Sequence, residues 1–124
     1  MSKWLLLIGL GSAGTVCRYL LSLAVANLIG TRFPLGTLIV NLIGCLLMGF
    51  LIAIDEVKFQ IPPEVKLFLL IGFLGAFTTF SSFIAETADL IKQGAIILAF
   101  CNLLCSLGIG FLAFVFGVWL GKSL

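Results

Sequence analysis

The sequence predicts an all-α integral membrane protein with four transmembrane helices. Of its 124 residues, 62% are hydrophobic and 10% are charged, whereas about a quarter of the residues in a soluble domain carry charge. The ionisable residues are gathered in short stretches and leave four apolar segments of about 20 residues, the length that crosses a hydrocarbon core. Only helices and closed barrels satisfy the backbone in lipid, and the sequence lacks the short alternating strands that are typical of a barrel.

The four predicted helices cover about residues 4–29, 35–54, 67–85 (continuing to about 91) and 96–120. The stretch from Gly30 to Pro34 forms the first turn, and residues 55–66, with two adjacent prolines, form the longest loop. Ala24-Val25-Ala26 resembles a signal-peptide cleavage site, but the apolar run before it is too long and is interrupted by Arg18. We therefore expect residues 1–124 to form a single transmembrane domain.

The charges that flank the helices give only a weak orientation signal. Four crossings place both termini on one membrane face, and the basic residues divide four to two between the faces: Lys3, Lys58, Lys66 and Lys122 against Arg32 and Lys92. Cytoplasmic loops are enriched in lysine and arginine. Either the termini are cytoplasmic, or the chain inserts in both orientations and an antiparallel dimer becomes possible. Four helices alone leave little room for an aqueous path, so a transport function favours an oligomer.

Arg18 lies about halfway along helix one, where a charged side chain is costly and needs an explanation. It could donate hydrogen bonds to backbone carbonyls or to an acid on a neighbouring helix. It could instead act directly on anions. The sequence places no acidic residue at mid-membrane, so an ion-pair partner would have to come from a helix end or a loop.

Two stripes of small polar residues follow the i, i+4 spacing that brings side chains to one helix face. The stripe in helix two consists of Thr37, Asn41 and Cys45. The amide of Asn41 could form a helix–helix hydrogen bond or face a passage, and both interpretations stay open. The stripe in helix four, which we interpret as packing rather than as a pathway, consists of Asn102, Ser106 and Gly110.

The segment GAFTTFSSF (75–83) places hydroxyls and phenyl rings in the middle of helix three. Gly72 and Gly75 each weaken a helix by about 1 kcal/mol relative to alanine, and the hydroxyls of Thr78 and Thr79 compete with the backbone for hydrogen bonds. We expect a break near Gly75–Thr78. Broken membrane helices expose carbonyls that coordinate small cations and N-termini that favour anions. The alternative is a continuous helix whose hydroxyls bond back to its own carbonyls.

Beyond the expected break, Phe80 and Phe83 share one helix face at i, i+3, and a neighbouring face runs from Ser82 to Glu86. Helix two begins on the same membrane side, so Thr37 and Glu86 are expected at similar depth. The edge of a phenyl ring is positive, and hydroxyl and amide donors can replace lost water. The sequence therefore predicts a dry, neutral lining for a small, strongly hydrated anion, which binds firmly enough to enter and weakly enough to leave.

Three motifs resemble one known family. GLGSAGTVCRY (9–19), GTLIVNLIG (36–44) and GFLGAFTTFSSF (72–83) are similar to the Fluc, or CrcB, fluoride channels and stand in the same order. Ala76 and Ser82 replace the glycine and threonine of the family pattern, but both changes are small. The resemblance implies a passive fluoride-selective channel in a bacterial inner membrane that relieves fluoride toxicity. It also implies an antiparallel, dual-topology homodimer with two pores.

The resemblance further implies specific roles for residues of this chain. The fluoride pathway would include Asn41, Phe80, Phe83, Ser81, Ser82, Thr37, Glu86 and Ser106. One structural sodium ion, which is not transported, would lie at the dimer centre and be held by the carbonyls of Gly75 and Thr78 from both chains. Apart from the resemblance, the depth of Arg18 in helix one leads us to classify it as a structural polar residue.

Other function classes fit the sequence less well. A small proton-coupled multidrug exporter needs a mid-membrane carboxylate, whereas Glu86 lies near a helix end. An enzyme is disfavoured because the chain has no histidine and no acid–base pair at mid-membrane. The four cysteines (17, 45, 101 and 105) lie in apolar helices and are interpreted as small apolar residues. A purely structural membrane subunit would explain the glycines but not the cluster of hydroxyls and phenyl rings.

Overall fold

The computed structural model describes residues 2–124, apart from the side chains of Ser2, Lys58 and Phe59. Lys58, which was counted in the charge bias, therefore has its side chain outside the described part. Helix α1 covers Ser2–Ile29, and α2 covers Leu35–Ile54. A wider π-helical turn, Asp55–Phe59, continues α2 beyond its last α-helical residue.

The third span contains two helices. Helix α3 covers residues 63–77 and consists of a short α-helical turn, a π-helical stretch at Leu67–Leu74 and a last turn at Gly75–Phe77. Helix α4 covers Phe80–Lys92. Helix α5 covers Ile96–Ser123 and includes a π-helical segment, Cys105–Ile109. Counted by length and apolar composition, four spans are able to cross a membrane, which confirms the predicted all-α membrane class.

The expected loop at residues 55–66 is shorter in the structure. Residues up to Phe59 continue the second span, and α3 already begins at Pro63. Proline is tolerated in the first turn of a helix because its missing N–H would have no helical partner there. Between the two spans, Asp55 accepts a hydrogen bond from the amide of Ile61 at 2.8 Å and pairs with Lys66. These contacts fix a tight connection.

Helices α2 and α5 pack with their backbones in direct contact. A Cβ atom added at Gly49 would overlap the carbonyl oxygen of Phe114, and one added at Gly117 would overlap that of Leu46. Small residues at such crossings permit the close approach that drives helix association in membranes. Helices α2 and α5 therefore form a closely packed pair beside the interrupted third span.

The buried core lies where α2 meets the end of α3, around Val40, Leu74 and Phe77. Helix α1 packs against the other side of α3, with Gly14 against the backbone of Phe73. The outward faces of α1 and α5 remain strongly apolar, and Ile97, for example, is 79% exposed. Such faces are suited to lipid or to another copy of the chain rather than to water.

Candidate functional site

The third span is interrupted at two threonines. Helix α3 ends at Phe77, Thr78 and Thr79 have extended backbone dihedrals, and α4 begins at Phe80. The amide and the hydroxyl of Thr78 both donate to the carbonyl of Leu74 at 3.0 Å. The hydroxyl oxygen of Thr79 accepts a hydrogen bond from the Ser82 amide at 3.2 Å, which is the usual way of capping a helix N-terminus. Both ends at the interruption are thus stabilised locally.

The side chain of Asn41 bonds both backbone groups of Thr79. Its Nδ2 donates to the Thr79 carbonyl at 3.0 Å, and its Oδ1 accepts from the Thr79 amide at 2.8 Å. In a continuous helix that amide would bond the carbonyl of Gly75, four residues earlier. The side-chain amide of Asn41 therefore bonds α2 to the interrupted third span. Its second Nδ2 hydrogen is still available as a donor.

A glycine in α2 allows the interruption to lie close to that helix. A Cβ atom at Gly44 would overlap the methyl group of Thr78. Gly44 lies three residues after Asn41, so the two residues occupy nearly the same face of α2. The sequence GTLIVNLIG thus supplies both the hydrogen-bonding amide and the space that the extended threonines need.

A cavity of about 280 Å³ opens beside the interruption. It brings together four of the predicted pathway residues: Asn41, Phe80, Phe83 and Ser106. The two phenyl rings have centroids 5.5 Å apart and planes tilted by 55°. Phe83 is buried, with 3% of its surface exposed, whereas Phe80 is 69% exposed in the single chain. We refer to this space as the phenyl cavity.

Ser81 and Ser82, the other two predicted pathway serines, do not line the phenyl cavity. Ser82 lines a second cavity of about 470 Å³, together with Thr79 and Arg18. The hydroxyl of Thr79 donates to Ser82 Oγ at 3.0 Å and lies 3.4 Å from the hydroxyl of Ser81. Thr79 is on both cavities, so the interruption separates them. Among the described residues, the buried Nε of Arg18 has no hydrogen-bond partner, so the bond to a carbonyl or an acid, one of the two alternatives, is not seen for this atom.

Thr37 and Glu86, expected at similar depth, are in direct contact. The Thr37 hydroxyl donates to Glu86 Oε1 at 2.6 Å. The other carboxylate oxygen, Oε2, is buried and has no hydrogen-bond partner among the described residues. Both residues line a cavity of about 350 Å³ that extends to Arg32 in the α1–α2 connection. Arg32 is held there by Nε and Nη2, which donate to Gln93 Oε1 at 3.1 and 3.0 Å.

A second set of polar contacts, between α4 and α5, was not anticipated. Asn102 Nδ2 donates to Thr87 Oγ1 at 2.9 Å, and the Thr87 hydroxyl lies 2.7 Å from the carbonyl of Phe83. Asn102 is 1% exposed, in keeping with the packing role assigned to its stripe, whereas Ser106 of the same stripe lines the phenyl cavity. Thr87 was missed because a threonine within a helix carries no distinctive sequence signal.

The described residues contain no group of three or more His, Cys, Asp or Glu side chains that could hold a metal ion. Backbone oxygens are the available donors instead. Because the Thr79 amide bonds Asn41, the carbonyl of Gly75 loses the donor it would have in an unbroken helix. Unpaired carbonyls at an interrupted membrane helix are suitable ligands for sodium.

Cys45 lines the phenyl cavity. Its interpretation as a small apolar residue did not anticipate this position.

Comparisons with known proteins give a consistent result. The family model described as "CrcB-like protein, Camphor Resistance (CrcB)" matches residues 5–118. A protein of Maridesulfovibrio salexigens is 41% identical over 122 residues, which cover 98% of this chain and 97% of the relative. A Shewanella sediminis protein is 47% identical over 92% of this chain and 88% of the relative. A Solibacter usitatus protein is 38% identical over 97% of this chain and 98% of the relative. All three are named fluoride-specific ion channel FluC.

Proposed function

Because the chain belongs to the CrcB family, we infer that it is a fluoride-specific ion channel and not an enzyme. The family match covers residues 5–118, and relatives that carry this name align over nearly their whole length. Four apolar spans make it a multi-pass membrane protein, consistent with the bacterial inner membrane. Its physiological task would be to let fluoride leave the cytoplasm and so to relieve fluoride toxicity.

The observation that supports a passage most strongly is the phenyl cavity. It is lined by Phe80, Phe83, Asn41 and Ser106, and none of its described lining side chains is charged. Neutral donors can replace part of the hydration shell of fluoride without trapping the ion. A proton-coupled exporter would require a carboxylate in such a cavity, so we favour the channel.

The other two cavities, which share Tyr19 and Ser22 in their linings, would continue the route on the other side of the interruption. Ser81 and Ser82 lie in the first turn of α4, where the helix N-terminus favours an anion. Their hydroxyls would bind fluoride as it loses water. About midway along α4, Thr37 and Glu86 would border the exit. Arg18, in the cavity with Ser82, would keep a structural polar role.

We further propose that the functional unit is an antiparallel homodimer with two passages. In the single chain Phe80 is 69% exposed beside the interruption, and Gly75 is exposed as well. A second copy that covers this face would enclose Phe80 and complete the passage. The basic residues differ little in number between the two membrane faces. Insertion in both orientations would require such a small difference.

A sodium ion would fit at the same face. The carbonyl of Gly75 lacks its helical donor, and Thr78 follows it in extended conformation. Neutral backbone oxygens of Gly75 and Thr78 from two chains would form a suitable ligand set for a hard monovalent cation. Bound there, sodium would supply positive charge that holds the interrupted helices together, and it would not be transported.

Growth of bacteria in fluoride tests the proposed function. A strain without its own fluoride channel should regain growth in fluoride when it expresses this chain, and with Phe83→Ile it should regain growth only at lower fluoride concentrations. Ser123→Ala, an exposed change near the C-terminus of α5, serves as the matched control. Equal growth with and without the wild-type chain, at equal membrane expression, would contradict a fluoride channel.

A further inference from the structure

A chain of buried polar groups links α5 to the turn of α4 that carries Phe83. Asn102 Nδ2, Thr87 Oγ1 and the Phe83 carbonyl oxygen follow one another at 2.9 and 2.7 Å. Asn102, Thr87 and Phe83 are 1%, 5% and 3% exposed. Polar groups buried this deeply in a membrane protein need their partners, so the arrangement is more than incidental packing.

The chemistry of the groups fixes the direction of these hydrogen bonds. A carbonyl oxygen can only accept, so the single hydroxyl hydrogen of Thr87 is donated to Phe83. Thr87 can then only accept from Asn102, which requires the NH₂ of the amide to face Thr87. The amide oxygen of Asn102 is left to accept from the hydroxyl of Ser106, at 3.4 Å. Every group in the chain has one consistent role.

The hydrogen-bonded series reaches the phenyl cavity through Phe83, and Asn102 itself does not line the cavity. Phe83 and Ser106 line that cavity, whereas Asn102 is almost completely buried behind it. A threonine that bonds back to a carbonyl four residues earlier modifies the local bend of its helix. The Asn102 amide holds that threonine in place and ties the bend to α5.

We propose that Asn102 and Thr87 are positioning residues for the Phe83 ring. They set the location of the ring against the opposite wall of the phenyl cavity, formed by α2 and α5. This role depends on the proposed function, since it assigns the ring to the fluoride passage. This positioning role differs from direct binding of the ion by Asn102. The NH₂ group of Asn102 donates to Thr87 and does not face the phenyl cavity.

The test combines fluoride efflux from liposomes, normalised to folded protein, with ¹⁹F NMR of protein that contains 4-fluorophenylalanine in chloride buffer. The variants are Asn102→Leu, Thr87→Val, the double variant and the conservative Thr87→Ser. Asn27→Leu is the matched control, because Asn27 is exposed on α1. The Phe83 resonance, one of twelve from phenylalanine, is assigned by its loss in Phe83→Leu.

Asn102→Leu and Thr87→Val should each lower efflux by roughly threefold, the loss expected for one interhelical hydrogen bond in a membrane. The double variant should be no slower than the slower single variant, because both act through one chain of bonds. Thr87→Ser should conduct normally, since it keeps the hydroxyl. The Phe83 resonance should shift in both single variants and stay in place in Asn27→Leu.

Unchanged efflux and an unmoved Phe83 resonance in Asn102→Leu and Thr87→Val would overturn the proposal. So would independent effects that multiply in the double variant. If Asn102→Leu fails to fold, the comparison of Thr87→Val with Thr87→Ser decides. If the wild-type protein passes no fluoride, the proposed function fails, while the Phe83 resonance still decides whether Asn102 and Thr87 position the ring.

Discussion

Asn41 has two assigned roles: it bonds the backbone of Thr79, and it provides an uncharged donor in the passage. Replacing Asn41 by aspartate affects these two roles to different extents. The carboxylate keeps an acceptor for the Thr79 amide but faces the Thr79 carbonyl with a second oxygen, where Nδ2 now donates at 3.0 Å. A buried carbonyl left without its donor costs about 1–3 kcal/mol, and the Thr79 carbonyl, which is only partly buried, should cost an amount near the lower end. The interruption should therefore be less stable.

The effect on conduction should be larger than the effect on stability. A fluoride ion about 4 Å from the new carboxylate would be repelled by about 4 kcal/mol at an effective dielectric constant of about 20. Since 1.4 kcal/mol is a factor of ten, occupancy of the phenyl cavity should fall by about a thousandfold. We expect Asn41→Asp to reduce fluoride efflux from liposomes by at least about a hundredfold.

Two further variants make this test specific. Asn41→Leu is neutral but loses both bonds to Thr79, so it should lower the thermal unfolding temperature and reduce efflux less than aspartate does. Asn27→Asp introduces the same charge on the exposed face of α1 and should conduct normally. Wild-type efflux in folded Asn41→Asp would refute the placement of Asn41 on the passage. Unchanged stability in Asn41→Leu would refute its role in fixing the interruption.

Three other perturbations test separate parts of the structure. Phe83→Ile and Phe80→Ile should each lower efflux by about twofold to tenfold, the value of one aromatic contact, with size-exclusion profiles unchanged; normal efflux in both would remove the ring-edge argument. Dialysis against sodium-free buffer should slow fluoride efflux without any sodium current, and a current that reverses with the sodium gradient would show that sodium is transported. Gly49→Ala should destabilise the protein by about 1–3 kcal/mol, because its methyl group would overlap the Phe114 carbonyl; an unchanged unfolding temperature would contradict the α2–α5 contact.

The sequence predicted the four spans well because hydrophobicity over about 20 residues decides membrane insertion. The sequence predicted the helix boundaries less well where a residue type, such as proline, occurs both in loops and in the first turn of a helix. The paired prolines suggested a long loop, although Pro63 opens α3. Helical spacing also showed that Ser106 shares a stripe with Asn102, but not that only Ser106 reaches the phenyl cavity.

The partners of the polar residues could not be predicted, because periodicity identifies a helix face but not the helix that this face meets. Asn41 was recognised as a candidate, yet its bonds to Thr79 depend on how α2 and the interrupted span are rotated together. The same holds for Thr87 and Asn102, which are 15 residues apart and meet only through the turn between α4 and α5. Thr37 and Glu86 were predicted to lie at similar depth by counting from the helix ends, but depth alone could not predict the hydrogen bond between them.

The most direct measurement is anion efflux from liposomes that contain the purified protein and are loaded with potassium fluoride or potassium chloride, started by adding valinomycin. We expect rapid fluoride efflux and negligible chloride efflux, because a neutral cavity lined by two phenylalanines and an asparagine can replace the hydration of only a small anion. Equal efflux of both ions, or no efflux from folded protein, would contradict a fluoride-specific channel.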